Sequence, residues 1–415
     1  MIRTPQLTSR QVACVCALVA VVAGLLAIVA TNYGWPDASA LVHLSEVDRL
    51  SLLATSVDPG FTLVPWQAHY DGLYYYAIAL DPFANGQAHL LIDQAAYRYS
   101  RPMHGWLAAI LSGGRFEYVP EAMLALSMLG LALGGYAASR LSVAFGRTPW
   151  GGLLIAMSPG LLYATTASTT EPMGVALSIV LVLAWLARSN PVVLAALGVV
   201  MSLYREQLIL VMAGIVLFEG VSRIRRRPQT QPPGRARVIA LLVGPLVLGA
   251  WVLYVHARFD EWPRPGESGN TSLPGMGWVE TFRYALYLQQ QGGIAESQIG
   301  TTAPSYLIAL AVLLLAALWA SRRVRTVLEG VLVAQVALMS VLGWRTLVYP
   351  HEMFRIPSFA VLVALAALLL RTQPTSAHES GVPHDGAEVG EARDLVDDHP
   401  QPGGPGVVGG DSRVE

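Results

Sequence analysis

Long apolar runs recur along almost the whole chain, and they limit what it can fold into. The 415 residues are 53% hydrophobic and 13% charged, whereas ordinary soluble domains carry roughly 25% charged residues. About 20 consecutive apolar residues can span a bilayer as a helix. We therefore predict an all-α polytopic membrane protein with about ten transmembrane helices, at 12–30, 118–139, 151–167, 171–187, 191–203, 206–222, 237–257, 303–320, 327–346 and 354–370.

Arginine placement orients these helices. All 27 basic residues are Arg, which also indicates a GC-rich genome and a bacterial source. Because cytoplasmic loops carry excess positive charge, the arginine groups at 3–10, 140–147, 188, 223–237 and 322–325 belong in the cytoplasm. The segment 191–222 must then be a hairpin whose turn, at 204–206, faces outward. Both termini become cytoplasmic, and the long loops 31–117 and 258–302 become extracytoplasmic.

The chain divides into two parts by composition. Residues 1–371 form the predicted transmembrane domain of a multi-pass cell (inner) membrane protein. The segment 372–415 is rich in Gly, Pro and acidic residues and cannot bury enough apolar surface to fold, so we predict a disordered cytoplasmic tail. The two cysteines, Cys14 and Cys16, share the first apolar run, which excludes a disulfide framework.

Polar chemistry concentrates in the first outside loop. Tyr74, Tyr75 and Ile78 repeat at helical spacing and predict an amphipathic helix on the membrane surface. Asp71 lies near the start of this helix, where the helix dipole favours an ionised carboxylate. An Asp followed by Gly72 equally fits a simple turn.

Two arginines follow three residues apart in the same loop. Arg98 and Arg101 can face the same way on a helical turn, and guanidinium groups match phosphate oxygens well. Alternatively, they pair with Asp81 or Asp93 to hold the loop together. The stretch 101–112 predicts a second short interfacial helix.

Three further polar groups fall at the same predicted face. Each has a simple structural interpretation: Thr170 caps the next helix, Arg205 and Glu206 pair with each other, and the charges at 351–355 snorkel to the interface. Their coincidence at one membrane face instead favours a functional site.

These features resemble the GT-C superfamily, polytopic glycosyltransferases that use lipid-phosphate sugars. The resemblance rests on the first helix, the large outside loop with an early Asp and two surface helices, and the stack of short-looped helices. Its local motifs look like a bacterial mannosyltransferase-like and cell-surface glycopolymer branch, and they lie at 70–79, 81–83, 97–102, 170–172 and 204–206. Many members carry two adjacent acids in the first loop. Here Gly72 follows Asp71, so the second acid is Asp81 or Asp93, and the use of a divalent cation stays open.

The resemblance implies an activity and a set of site residues. A mannose-like or related hexose moves, with inversion, from a polyprenyl-phosphate donor in the membrane to an extracytoplasmic lipid, glycan or protein acceptor. Asp71 acts as general base, and the donor phosphate binds four arginines, namely Arg98, Arg101, Arg205 and Arg355. The candidate substrate-binding residues are His69, Tyr74, Tyr75, Asp81, Asp93, Tyr97, His104, Glu171, Glu206 and His351. No nucleic-acid partner is expected.

A transporter or flippase for a lipid-linked or polar solute is the alternative function. Transporters usually hold their binding sites near the bilayer midplane on broken helices. This sequence keeps its helix centres apolar and places its charges in the outside loops, which favours the enzyme.

Overall fold

The computed structural model describes residues 7–32, 37–225, 234–264 and 269–369. Within these ranges the regular structure is helical, apart from isolated bridges that join Ser45 to Val64 and Thr271 to Leu342. The predicted disordered tail, 372–415, lies outside the described residues.

Helices of very different lengths alternate along the described chain. The first nine α-helices are α1 (Ser9–Asn32), α2 (Ser51–Val57), α3 (Gly72–Leu80), α4 (Ala95–Tyr99), α5 (Met103–Leu111), α6 (Val119–Ala144), α7 (Leu153–Ala156), α8 (Pro159–Thr166) and α9 (Glu171–Leu186). They are followed by α10 (Pro191–Tyr204), α11 (Ile209–Ile224), α12 (Arg235–Phe259), α13 (Met276–Gln290), α14 (Ile294–Ser321), α15 (Val327–Val341), α16 (Trp344–Val348), α17 (Pro350–Arg355) and α18 (Ser358–Leu369).

Five helical stretches of the described chain are long and apolar enough to cross a membrane. They are Ser9–Thr31, Phe116–Ala144, Glu206–Ile224, Arg235–Phe259 and Gln298–Ser321. The apolar helices α9, α10, α15 and α18 are shorter; at about 1.5 Å per residue they reach roughly 18–24 Å, less than the roughly 30 Å hydrocarbon core. Helix length therefore supports an all-α membrane protein, but it gives five spans rather than the predicted ten.

Proline interrupts two of the predicted spans. The run 151–167 divides into α7 and α8, with Pro159 opening the second helix. The run 354–370 divides between α17 and α18, and Pro357 stands at the break. Proline lacks the N–H that continues a helix, and its ring clashes with the preceding turn. The predicted hairpin turn at 204–206 is confirmed as the break between α10 and α11.

The long helices pack closely side by side. Helix α6 packs on α1, α5 and α9, whereas α10 packs on α12, α11 on α15, and α14 on α18. At the α11–α15 contact a Cβ on Gly214 would lie 2.5 Å from the Cα of Val331. The absence of a side chain therefore permits this approach, as is common between membrane helices.

The first outside loop folds onto the bundle. The short helix predicted at 101–112 is confirmed as α5. The prediction of an amphipathic surface helix after Asp71 is wrong, because residues 72–79 of α3 are all buried. Helix α3 packs on both α5 and α6, so it has neighbours on more than one side and no membrane-facing stripe.

Two contacts fix the position of Asp71 relative to the bundle. The ring nitrogens Nδ1 and Nε2 of His43 lie 2.5 Å and 3.0 Å from the carbonyl oxygens of Ala68 and Thr166, which joins the loop to α8. A Cβ on Gly72 would lie 2.6 Å from the carbonyl oxygen of Val42. The glycine after Asp71 is thus required by close packing at the start of α3.

Candidate functional site

Charged side chains from four separate stretches of the chain meet in one place. This charge cluster contains four arginines and four carboxylates: Arg98, Arg101, Arg205 and Arg355, with Asp71, Glu171, Glu206 and Glu352. The structure therefore brings together all four predicted phosphate-binding arginines and the predicted base.

Asp71 lies directly before α3 and is a partly exposed acid of the charge cluster. Its carboxylate accepts hydrogen bonds from Arg355 at 3.0 Å and from Arg98 at 3.3 Å. The Asp71 side chain is 27% exposed, whereas that of Arg355 is 3% exposed. Burial raises the pKa of Asp71, but the charges of Arg355 and Arg98 outweigh burial and hold the pKa well below its usual range. The carboxylate is ionised as predicted, with the two arginines as the main cause.

Helix α17 supplies two members of the charge cluster, one helical turn apart. Arg355 donates to both carboxylate oxygens of Glu352, at 2.9 Å and 2.8 Å. The hydroxyl of Tyr70 donates to Glu352 at 2.5 Å, and its ring centre lies 4.9 Å from the Arg355 guanidinium. Glu352 belongs to the charges at 351–355 that were predicted to lie at this face, but neither Glu352 nor Tyr70 was among the predicted site residues. The spacing of three residues between Glu352 and Arg355 is the signal that could have found the acid.

Glu171, the first residue of α9, bridges two buried arginines. Its carboxylate pairs with Arg205 and lies 3.5 Å from Arg355. The hydroxyl of Thr170 accepts a hydrogen bond from Arg205 at 3.4 Å and makes no capping bond to α9. The predicted capping role of Thr170 is therefore wrong, because the side chain contacts the arginine instead.

Aromatic rings and one acid position Arg98 and Arg101. The Arg98 guanidinium lies 3.5 Å from the Tyr74 ring centre, and that of Arg101 lies 4.3 Å from the Tyr97 ring centre. Arg101 is also 3.5 Å from Glu206. Glu206 therefore pairs with Arg101 rather than with its predicted partner, the preceding arginine. Cation–π contacts of this kind leave the N–H edges of a guanidinium available.

All four arginines of the charge cluster have buried nitrogens that make no hydrogen bond within the described ranges. These are each Nε and one terminal nitrogen of Arg101, and the Nε of Arg101 is the atom that lies 3.5 Å from Glu206. Buried donors without a partner are rare in proteins. A phosphate group supplies the oxygen acceptors that guanidinium donors prefer. The arrangement is therefore suited to binding an anion.

Two cavities adjoin the charge cluster. The smaller, of about 10 Å³, has room for about one water molecule and is lined by Asp71, Tyr74, Tyr75, Arg98 and Arg101. The larger, of about 710 Å³, lies beside α17 and is lined by Pro159, Tyr163, Gln298, Ile299, Thr302, Tyr349, His351 and Phe354. The smaller cavity can hold a water molecule beside Asp71, and the larger has space for a ligand.

His351 connects the larger cavity to the charge cluster. Its ring stacks on Tyr163, with ring centres 6.0 Å apart, and meets Tyr70 edge-on at 5.3 Å. Burial lowers the pKa of His351, so the imidazole is neutral at neutral pH. The predicted His351 thus lies at the cavity wall, together with Tyr163, which was not among the predicted site residues.

No family model, curated protein or solved structure matches this chain. The resemblance to the GT-C superfamily rests on the sequence features described above.

Three other predicted residues lie around the charge cluster. His69 contacts Asp48 at 2.9 Å and meets Tyr74 edge-on. Asp93 is 54% exposed and lies 3.9 Å from Arg98, so it belongs to the rim. His104 is buried, and burial lowers its pKa to about 4. The Nδ1 of His104 lies 2.5 Å from the hydroxyl of Tyr204. Tyr204 was not among the predicted site residues.

Asp81 holds a loop away from these contacts. Its carboxylate accepts from the backbone N–H groups of Asn85 and Gly86, both at 2.8 Å, and lies 2.7 Å from the ring of His89. In the part of the chain that the structure describes, none of its contacts is with the charge cluster. The predicted substrate-binding role of Asp81 therefore has no geometric support.

The acids of the charge cluster are committed to arginines. Among the described residues, no group of three or more His, Cys, Asp or Glu side chains is placed to hold a metal ion. Asp71, Glu171, Glu206 and Glu352 each face at least one guanidinium. These side chains do not fit a divalent cation held by the protein.

Proposed function

We propose that this chain is a membrane glycosyltransferase that transfers a mannose-like or related hexose from a polyprenyl-phosphate donor to an extracytoplasmic lipid, glycan or protein acceptor. One observation carries the proposal. The partly exposed Asp71 carboxylate lies against Arg98 and Arg355, and buried guanidinium nitrogens beside it make no hydrogen bond in the described part of the chain. Sugar transfer from a lipid phosphate needs a base for the acceptor proton and cations for the leaving phosphate.

In the proposed reaction, an acceptor hydroxyl oxygen attacks the anomeric carbon of the donor sugar. The bond from that carbon to the phosphate oxygen breaks, and the phosphate leaves with the electron pair. The hydroxyl proton passes to Asp71. A single displacement of this kind inverts the anomeric centre and needs one carboxylate base.

The arginine pairs make Asp71 a weak base before the donor binds, because a base works best when its pKa lies near the operating pH. A donor phosphate competes for Arg98 and Arg355, which lie 3.3 Å and 3.0 Å from the carboxylate. The two arginines then stabilise the Asp71 carboxylate less, so the pKa of Asp71 rises. We infer that donor binding activates the base.

The acceptor occupies the 710 Å³ cavity beside α17 in this proposal. Tyr163, Tyr349 and His351 give that cavity ring faces and polar edges, which suit a hydroxylated ligand. The ring contact between His351 and Tyr70 connects the cavity with Glu352 and Arg355. An acceptor entering there approaches Asp71 from the side of α17.

The placement in the membrane follows from the same proposal. The five long helices, the α7–α8 segment and the helices α9, α10, α15 and α18 supply about ten membrane segments, some of them short. The arginine distribution puts the charge cluster on the extracytoplasmic side of the cell membrane and both termini in the cytoplasm.

Asp71→Asn tests the proposed base directly. We expect the variant to insert and fold, while transfer from a polyprenyl-phosphate sugar falls about 10²–10⁴-fold. Asp260→Asn is the matched control, because Asp260 is exposed at the end of α12 with a φ of 52°, a conformation that Asn tolerates. A strain lacking the chain is complemented with each form at equal membrane levels, and its envelope glycans are compared by mass spectrometry.

The same membranes are then supplied with polyprenyl-phosphate sugars, and products are followed by mass spectrometry. Wild-type and Asp260→Asn membranes should form the product that Asp71→Asn membranes lack. Equal transfer by all three forms would remove Asp71 as the base. Restored glycans without any donor-dependent transfer by the wild type would favour the transporter.

A further inference from the structure

A third cavity lies at the end of the helices opposite the charge cluster. It has a volume of about 230 Å³ and lies between α6, α9, α15, α18 and the segment 147–155. On α9, Ile179 and Val182 line it, and these residues lie roughly 12–17 Å along the helix from Glu171. The cavity extends along α18 from Phe359 in its first turn to Leu369 at its end.

The cavity wall is apolar except at its edge. The lining side chains on α6, α9, α15 and α18 are apolar except for Ser142, and they include Leu141, Ile179, Leu328, Phe359 and Ala366. The polar lining side chains are Ser142, Arg147 and Thr148. The hydroxyl of Ser142 donates to the carbonyl of Ala138 at 3.0 Å, so it is already satisfied.

Arg147 is the uncommitted charge at this cavity. One of its terminal nitrogens is buried and has no hydrogen-bond partner among the residues the structure describes. The acidic residues on the lining helices are either at the opposite end of their helix or already hydrogen-bonded. Glu121 and Glu171 stand in the first turns of α6 and α9, at the other end, and Glu329 accepts from the backbone N–H of Thr326 as part of a helix cap.

We propose that this cavity binds an acyl chain of an anionic phospholipid whose phosphate contacts Arg147. An apolar cavity of this kind does not hold stable water, and an empty one forfeits van der Waals contacts along its wall. An acyl chain supplies those contacts. The guanidinium supplies the donors that a phosphate accepts.

The headgroup decides which lipid is selected. An acyl chain in the bilayer is already out of water, so entering the cavity brings packing but no hydrophobic gain. Arg147 lies in the segment that the sequence places at the cytoplasmic face, where anionic lipids attract basic residues. The inferred site is independent of the proposed transferase activity.

Lipid retention by the purified full chain tests the inference. Wild-type protein in mixed micelles is given equal amounts of phosphatidylglycerol and phosphatidylcholine, and bound lipid is counted by native mass spectrometry. We expect selective retention of phosphatidylglycerol, reduced about tenfold by Arg147→Gln. Arg140→Gln is the matched control, since Arg140 lies on α6 but does not line the cavity. Ala366→Phe fills the cavity and should abolish retention while leaving Arg147 intact.

Several outcomes would overturn the inference. They are unchanged selectivity in a folded Arg147→Gln variant, unchanged retention by Ala366→Phe, displacement of the lipid by inorganic phosphate, and a wild-type protein that carries no lipid. Should Arg147→Gln fail to fold, Ala366→Phe decides the question by itself.

Discussion

The bridge formed by Glu171 allows the cost of breaking the charge cluster to be worked out. Its side chain is 7% exposed, and those of Arg205 and Arg355 are 10% and 3% exposed. Arg355 keeps Asp71 and Glu352 as partners after Glu171→Gln. Arg205 keeps a hydrogen bond to the Thr170 hydroxyl and the nearby charge of Glu206. Removing one partner of a buried ion pair costs about 3–5 kcal/mol, because the other charge stays buried and uncompensated.

We expect the lower end of that range, because Gln retains an oxygen that can accept from Arg205. The free energy of unfolding should fall by about 3 kcal/mol, or roughly a hundredfold in the folding equilibrium. The assay follows unfolding of the purified chain with increasing SDS in mixed micelles. Glu117→Gln is the control, since Glu117 pairs with Arg115 at the surface, where such pairs contribute little. A loss below about 1 kcal/mol for Glu171→Gln would refute the reasoning.

Further predictions concern the proposed base and its setting. Because the pKa of Asp71 is lowered by Arg355 and Arg98 against the effect of burial, kcat/KM should stay flat as the pH falls from 8 to about 4. Donor binding should raise that pKa. The loss of kcat on the acid side should therefore begin at a higher pH than the loss of kcat/KM. If both parameters fall at the same pH, donor binding does not activate Asp71. The ion-pair stabilisation from Asp71 is complete above its unfolded pKa of about 3.9 and is lost as the pH falls through the lower folded value. Gly72→Ala should cost roughly 1–3 kcal/mol and lower kcat, because its Cβ would press on the Val42 carbonyl. Gly174→Ala, whose Cβ meets only the Leu208 side chain at 3.4 Å, should leave both stability and kcat close to wild type.

Apolar runs and charge placement predicted much of the fold. Helices occupy the predicted runs. The breaks near Pro159 and Tyr204 fall where the sequence has a proline and a pair of charged residues. The ends of the helices were less predictable. An apolar run shows that a segment avoids water, but it does not distinguish a full crossing from a shorter helix buried among its neighbours.

The members of the charge cluster were easier to predict than their pairings. Arg98, Arg101, Arg205 and Arg355 were selected because ionisable groups are unusual beside a membrane. Their partners are set by tertiary contacts: Glu206 faces Arg101 and not its neighbour in sequence. Asp81 was selected by the same criterion, yet its carboxylate contacts only residues of the adjacent loop in the described structure. Composition alone does not separate these two uses of an acid.

The members of the charge cluster are far apart in the chain, so they are synthesised at different times. Asp71 is made early, while Glu352 and Arg355 come from the end of the described chain. A ribosome-bound intermediate that lacks α17 therefore has Arg98 as the only cluster arginine hydrogen-bonded to Asp71. Until α17 arrives, Glu171 also lacks its contact with Arg355. The charge cluster is therefore complete only once α17 is made, so, under the proposed function, a chain that stops before α17 would lack transfer activity.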